Sequence, residues 1–169
     1  DHVVGNQPEN NMIEICDFYE NIFGWHRFWT IDDEDITTEF SSLRSVVMAN
    51  DNETIKIPIN EPAPGLKKSQ IQEFIDYYGS AGIQHIALST KNIIQTVKIM
   101  RENGVEFLET PSTYYKDLSN RVGDIDEDIN TLLELGILAD RDENGYMLQI
   151  FTSPIQDRPT LFLEIIQRK

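Results

Sequence analysis

The chain has 169 residues, of which 40% are hydrophobic and 25% charged, so it is long enough to bury a core of its own. Its formal net charge of -15 argues against nucleic acid and anionic membrane surfaces as partners, because both require a basic face. The single cysteine, Cys16, excludes an internal disulfide and indicates a reducing compartment, which we take to be the cytoplasm.

The first half of the chain predicts one helix among several strands. The apolar run at 2–4 predicts a strand, and apolar residues at three- and four-residue spacing predict a helix over 12–23 that ends at Gly24. Further strands are predicted at 25–29, 37–40, 45–48 and 54–59. Pro62, Pro64 and Gly65 predict that a linker, residues 61–81, follows and carries a short helix over 69–78.

The second half repeats the pattern. We expect a strand at 82–88, a helix that Asn92 caps and Gly104 ends, and a strand at 105–108. A second helix is predicted at 129–138, and a turn at Asn144 and Gly145 precedes strands at 146–152 and 160–167. The chain begins at Asp1 on what already reads as a strand, so we expect it to be a fragment of a longer protein.

The order strand, helix, three strands therefore occurs twice, at 1–60 and at 82–169. Two such βαβββ modules, side by side, predict an α+β fold in which a sheet curls around a central cavity. His2 and His85 lie on the first strand of each module, so we expect the two imidazoles to face one another.

A third residue completes a metal-ligand set. Glu164 lies in the middle of an apolar strand, where a carboxylate is costly to bury unless it meets a cation. Two imidazoles and one carboxylate are the facial triad of non-haem Fe(II) oxygenases. The alternative is that Glu164 faces water and that both histidines are structural. His26 lies between two tryptophans, and we interpret it as structural.

These residues fall within longer runs that resemble a known family. Residues 1–6, 58–62, 68–72, 82–88, 111–115 and 145–168 resemble, in order, the C-terminal catalytic half of the 4-hydroxyphenylpyruvate dioxygenases of animals. The resemblance covers nearly the whole chain. It implies the vicinal oxygen chelate fold, a glyoxalase-like open barrel of two βαβββ modules that together form one catalytic domain.

The resemblance also implies the site. His2, His85 and Glu164 match the three ligands of Fe(II), and Phe151 and Phe162 match the phenylalanines that hold the substrate ring. The polar residues that match the substrate-binding set are Ser45, Asn60, Gln70, Gln84 and Gln149. Among them, the resemblance implies a catalytic part for Asn60, Gln84 and Gln149. Strict strand alternation points Gln84 away from its neighbour His85, so its place requires a twist or bulge.

The implied reaction converts 4-hydroxyphenylpyruvate and O2 to homogentisate and CO2 in the breakdown of tyrosine and phenylalanine, with a homodimer as the working form. One alternative is 4-hydroxymandelate synthase, which oxidises the benzylic carbon instead of the ring. A second is a metal-free protein of the same fold that only binds an aromatic ligand. The acidic residues from Asp124 onward resemble the start of an EF-hand calcium loop. The loop is excluded, because its sixth position is Ile129 instead of glycine and its twelfth is Leu135 instead of glutamate.

Overall fold

The computed structural model describes residues 1–31, 42–64, 68–141 and 145–169. The chain forms two compact units, one of Asp1–Ile86 with Gln156–Leu161 and one of Ala87–Ile155 with Phe162–Lys169. The predicted division into modules 1–60 and 82–169 with a linker at 61–81 stays a prediction. The strand predicted at 37–40 lies outside the described residues, as does the first residue of the predicted turn at 144–145.

The first unit packs two helices against a sheet. Its elements are β1 (His2–Asn6), α1 (Met12–Phe23), β2 (His26–Ile31), β3 (Ser42–Ala49), β4 (Lys56–Ala63), α2 (Gln70–Tyr78) and the start of β5 (Gly82–Ser89). The strand order is β2-β3-β4-β1-β5. β1 runs parallel to β4, and β3 is antiparallel to both β2 and β4. α1 contacts β3 and β4 over a core of Met12, Cys16, Val46, Met48 and Ile59.

Helix ends in this unit follow local sequence signals. α1 ends where the sequence predicts, because Gly24 takes a left-handed conformation (φ 68°) and its N–H reaches the carbonyl of Glu20. Ser69 caps the N-terminus of α2, and its hydroxyl accepts the N–H of Gln72 at 3.2 Å. The predicted helix over 69–78 is therefore confirmed.

β4 runs to Ala63, beyond the end predicted at 59, although prolines follow that position. The carbonyl of Asn60 points toward β1, where it accepts the N–H of Gln7 at 2.7 Å. Pro58 and Pro62 lie two residues before and after Asn60, so their nitrogens also point toward β1 and away from β3. The residues of β4 that pair with β1 are Ile59 and Asn60. The missing N–H groups therefore remove no bond to β3, and the strand continues through both prolines.

The second unit combines three helices with the strands that follow them. Its elements are the end of β5, α3 (Ile93–Glu102), a 3-10 turn (Ser112–Tyr115), α4 (Leu118–Val122), α5 (Ile129–Leu135), β6 (Leu138–Arg141), β7 (Tyr146–Phe151) and β8 (Phe162–Arg168). The strand order is β5-β8-β7-β6, and β7 is antiparallel to both β6 and β8. None of the described helices has the length and apolar character that crossing a bilayer requires.

Two predictions for this unit were wrong. The helix expected over 129–138 ends at Leu135, because Gly136 takes a left-handed conformation (φ 75°), and β6 then follows in place of the last turn. The strand expected at 105–108 is a single antiparallel bridge between Phe107 and Thr152. The module nevertheless keeps three strands, since the short β6 takes the place that we assigned to 105–108.

Candidate metal centre

Two histidine rings meet within the first unit. His2 is the first residue of β1, and His85 lies in β5, which is the neighbour of β1 in the sheet. The ring centroids are 5.6 Å apart, and the ring planes meet at 75°. His85 is buried, with 8% of its surface exposed. The two imidazoles therefore face one another, as the repeated pattern of the sequence indicates.

The hydrogen bonds of both rings select one nitrogen for metal binding. Nδ1 of His2 lies 2.7 Å from Oδ1 of Asp1, and Nδ1 of His85 lies 3.0 Å from Oε1 of Gln84. Both partners are acceptors, so Nδ1 carries the proton in each ring. Nε2 then offers its lone pair, which is the tautomer that a metal ion requires.

A buried carboxylate completes the cluster. Glu164 lies in β8 with 2% of its surface exposed. One ligand atom from each of His2, His85 and Glu164 lies within 4.8 Å of the other two. This donor set fits a divalent first-row metal with open positions, and Fe(II) with two imidazoles and one carboxylate is the familiar case. His26 lies elsewhere, at the surface, with Nε2 3.4 Å from Oε1 of Glu53.

Two phenylalanines meet on the face of the sheet that carries Glu164. Phe151 in β7 is the direct partner of Glu164 in β8, and Phe162 lies two residues before Glu164. These three side chains share one face, because opposite residues of an antiparallel pair and alternate residues of a strand do so. The two rings make an edge contact, with centroids 5.9 Å apart and planes at 86°. The predicted aromatic pair is thus adjacent to the carboxylate.

The predicted polar residues fall into different surroundings. Ser45 and Asn60 are direct partners across β3 and β4. Gln70 is the exposed first residue of α2. Gln149 donates from Nε2 to Oδ2 of Asp140 at 3.1 Å. Gln84 reaches Nδ1 of the adjacent His85, so its long side chain curls back along its own strand. Their predicted contacts with substrate stay predictions.

Sequence reasoning missed two residues of this region. Asp1 accepts a hydrogen bond from His2. The sequence feature that could have indicated this bond is an acidic residue directly before a candidate ligand. Asn6 is a fully buried amide on β1, and the signal is its place four residues after His2, which puts both side chains on one face of a strand.

A cavity of about 550 Å³ lies in the second unit and is separate from the metal ligands. Its apolar lining includes Leu108, Pro111, Leu138, Ile150 and Phe151. Tyr114 also lines it; burial raises the pKa of this phenol, whose hydroxyl donates to the carbonyl of Ala139 at 2.9 Å. The cavity is lined by none of the three clustered side chains, His2, His85 and Glu164.

A family model described as the glyoxalase/bleomycin resistance protein/dioxygenase superfamily matches residues 1–150. Two curated relatives are called 4-hydroxyphenylpyruvate dioxygenase. The relative from Xenopus tropicalis is 59% identical over 99% of this chain and 44% of its own length. The relative from Danio rerio is 57% identical over 99% of this chain and 43% of its own length. The chain thus spans less than half the length of either relative.

A solved structure shares the fold over the whole chain. It is a triple mutant of 4-hydroxymandelate synthase from Streptomyces coelicolor, with a TM-score of 0.86 and 32% sequence identity. The match covers 100% of this chain and 48% of the synthase.

Proposed function

Because the chain belongs to the glyoxalase/bleomycin resistance protein/dioxygenase superfamily, we propose that it is the metal-binding part of an Fe(II)-dependent 4-hydroxyphenylpyruvate dioxygenase. The proposed reaction converts 4-hydroxyphenylpyruvate and O2 to homogentisate and CO2. The observation that carries the proposal is the cluster of His2, His85 and Glu164 in a chain that matches the dioxygenases along nearly its full length.

The donor set supports iron as the resident metal. Two neutral imidazoles and a carboxylate occupy one side of the ion and leave the other side for ligands. When bound, Fe(II) supplies the Lewis-acid and redox chemistry that oxidative decarboxylation and ring hydroxylation require. Asp1 and Gln84 would hold the imidazole tautomers, because a bond at Nδ1 fixes both the ring plane and the proton.

The remaining residues of the chain would bind and orient the organic substrate. Phe151 and Phe162 present two rings beside the carboxylate, where they can receive the aromatic ring of a 2-oxo acid. Ser45 and Asn60 offer hydroxyl and amide groups to the ring hydroxyl. We assign a polar contact with the substrate to Gln70, Gln84 and Gln149 as well, as their match to the family implies.

The proposal extends to the setting of the reaction. The reaction is a step of tyrosine and phenylalanine breakdown, and we place it in the cytoplasm, in keeping with the single buried Cys16. The protein would act as a homodimer, which size-exclusion chromatography with light scattering tests.

The second candidate is 4-hydroxymandelate synthase, which the structural match to the Streptomyces coelicolor protein favours. It would take the same substrate and the same metal, and it would oxidise the benzylic carbon. The products separate the two candidates. The full-length protein that contains this chain is incubated with Fe(II), O2 and 4-hydroxyphenylpyruvate, and we expect homogentisate. 4-Hydroxymandelate would establish the second candidate, and tight binding without product would leave a ligand-binding protein.

Metal dependence is tested with a pair of histidine variants. His85→Ala removes a cluster ligand, whereas His26→Ala removes a surface imidazole paired with Glu53 and serves as the matched control. We expect His85→Ala to lose bound iron and all product, and His26→Ala to keep both. Equal iron content in the two variants, measured after gel filtration, would contradict the assignment of His85.

A further inference from the structure

Asn6 carries a buried carboxamide that lacks a partner among the described residues. The residue is 0% exposed, and neither Nδ2 nor Oδ1 has a hydrogen-bond partner there. Burying an amide without hydrogen bonds destabilises a fold, so such groups are uncommon and call for an explanation. The metal cluster does not supply one, because Asn6 lies at the opposite end of β1 from His2.

The direction of the side chain follows from its neighbour. A Cβ placed on Gly5 would lie 3.6 Å from Cδ1 of Ile59, which belongs to the core under α1. Gly5 therefore faces the helix side of the sheet, and Asn6 faces the other side, together with His2.

Asn6 belongs to a polar row across three neighbouring strands. It is the direct partner of Asn60 across β1 and β4, and Asn60 is the direct partner of Ser45 across β4 and β3. Directly paired residues project to the same face of a sheet, with Cβ atoms about 4.5–5.5 Å apart in antiparallel pairs. The row lies about 13 Å along β1 from His2, at the rise of a strand. A ligand held by its acidic end near His2 would direct its far end toward this row.

We propose that Asn6 is a positioning residue for the ring hydroxyl of an aromatic 2-oxo acid, acting through Asn60. In the complex, the Asn6 carboxamide hydrogen-bonds that of Asn60 and fixes which of its groups meets the hydroxyl. Asn6 is fully buried and Asn60 is partly exposed, so Asn60 contacts the ligand and Asn6 orients it. This inference rests on the proposed function, because it takes the substrate class from there.

The test compares two ligands that differ by the hydroxyl alone, 4-hydroxyphenylpyruvate and phenylpyruvate. Their dissociation constants are measured by anaerobic calorimetry on the full-length, Fe(II)-loaded protein. Wild type should prefer the hydroxylated ligand by about tenfold, as one well-placed hydrogen bond provides. Asn6→Leu fills the space without polar atoms, and Asn6→Ala leaves it partly open. Both should abolish most of this preference and leave the affinity for phenylpyruvate within about twofold of wild type.

Two further variants separate positioning from general damage. Asn60→Ala should remove the same preference, and adding Asn6→Leu to it should change the preference no further, since residues that act as one unit are not additive. Val46→Ala truncates a core residue adjacent to Ser45 on the other face of β3, and it should lower the melting temperature without changing the preference.

The outcomes distinguish the two proposals. Asn6 variants that keep the wild-type preference, or that weaken both ligands equally, overturn the role of Asn6 and leave the proposed function intact. An additive loss in the double variant overturns action through Asn60. Wild-type protein that binds neither ligand overturns the proposed function and this inference with it.

Discussion

The Phe151 and Phe162 rings contact each other in the structure, and this contact predicts how they respond to a ligand. Their centroids are 5.9 Å apart in an edge arrangement. A substrate ring held between them needs a favourable contact with each, at centroid distances of about 4.5–7 Å. The two phenylalanine rings then lie about 9 Å apart or more and no longer touch. Binding therefore exchanges one phenylalanine pair for two contacts with the ligand.

The free energy of this exchange follows from the strength of an aromatic contact. An aromatic pair contributes about 0.5–1.5 kcal/mol beyond burial. In a double-mutant cycle on the free energy of unfolding, Phe151→Ala and Phe162→Ala should therefore couple by about 1 kcal/mol in the free protein. In the complex the coupling should fall toward zero, because the ligand separates the rings. A single variant makes one aromatic contact with the ligand instead of two, but it has no contact between Phe151 and Phe162 to lose on binding. The net aromatic contribution to its binding free energy is therefore nearly that of wild type.

Lost apolar burial then dominates the effect of a single substitution on affinity. Withdrawing about 40 Å² of ring surface costs about 1 kcal/mol, which is about fivefold in the dissociation constant. The double variant loses its remaining ring contact too and should bind more weakly by about a further 2 kcal/mol. Truncation of a core phenylalanine can itself cost about 3–5 kcal/mol, and since both rings are only partly buried we expect less.

The assay is denaturant unfolding of the full-length, Fe(II)-loaded protein with and without saturating 4-hydroxyphenylpyruvate, under anaerobic conditions. Calorimetric affinities and the iron content of each variant are measured alongside. Phe23→Ala is the matched control, because Phe23 is 56% exposed on α1 and touches other aromatic rings. It should leave both affinity and iron content unchanged. Equal coupling between Phe151 and Phe162 with and without ligand would refute the reasoning.

Two further predictions concern helix ends. Glu61 is buried, pairs with the partly exposed Arg44 at 2.9 Å, and accepts the first N–H of α1 at 3.0 Å. Glu61→Ala removes both bonds and should lower the free energy of unfolding by about 1–3 kcal/mol, and a loss below about 0.5 kcal/mol in urea titrations would contradict this role. A hydrogen bond from the Thr131 N–H lowers the pKa of Asp128, so its contribution to stability is present above the ordinary aspartate pKa and is lost as pH falls through the lowered value. The unfolding free energies of wild type and Asp128→Ala should therefore differ at neutral pH and converge in acid, and a difference that persists at the lowest pH would refute this linkage.

Sequence reasoning succeeded where a local signal and the fold agree. The family and the α+β, glyoxalase-like fold were predicted correctly, as was the helix that ends at Gly24. The errors arose where a local signal was read without its neighbours. Gly136 carries the same stop signal as Gly24, but the apolar residues after it look like one more helical turn. Leu138–Arg141 is too short and too charged to be recognised as a strand, and pairing with β7 is what holds it in the sheet.

The clustering of the two histidines with Glu164 was accessible to sequence, but the groups that orient the histidine rings were not. The repeat of the strand–helix pattern puts His2 and His85 in matching places, and no alternation rule predicts what their Nδ1 atoms meet. Gln84 is the clearest example of a partner that strand alternation does not predict, since alternation directs it to the face opposite His85.

The long Gln84 side chain nevertheless reaches His85, with Oε1 3.0 Å from Nδ1. A carbonyl oxygen has two lone pairs, and the amide also carries two N–H donors, so a bond to His85 leaves Gln84 able to donate to a substrate oxygen. Orientation of the His85 ring and the proposed contact with substrate are then compatible roles of one side chain. A glutamate at this position would keep the acceptor for His85 and lose the donor. The substitution Gln84→Glu therefore separates the two roles, whereas Gln84→Ala removes both.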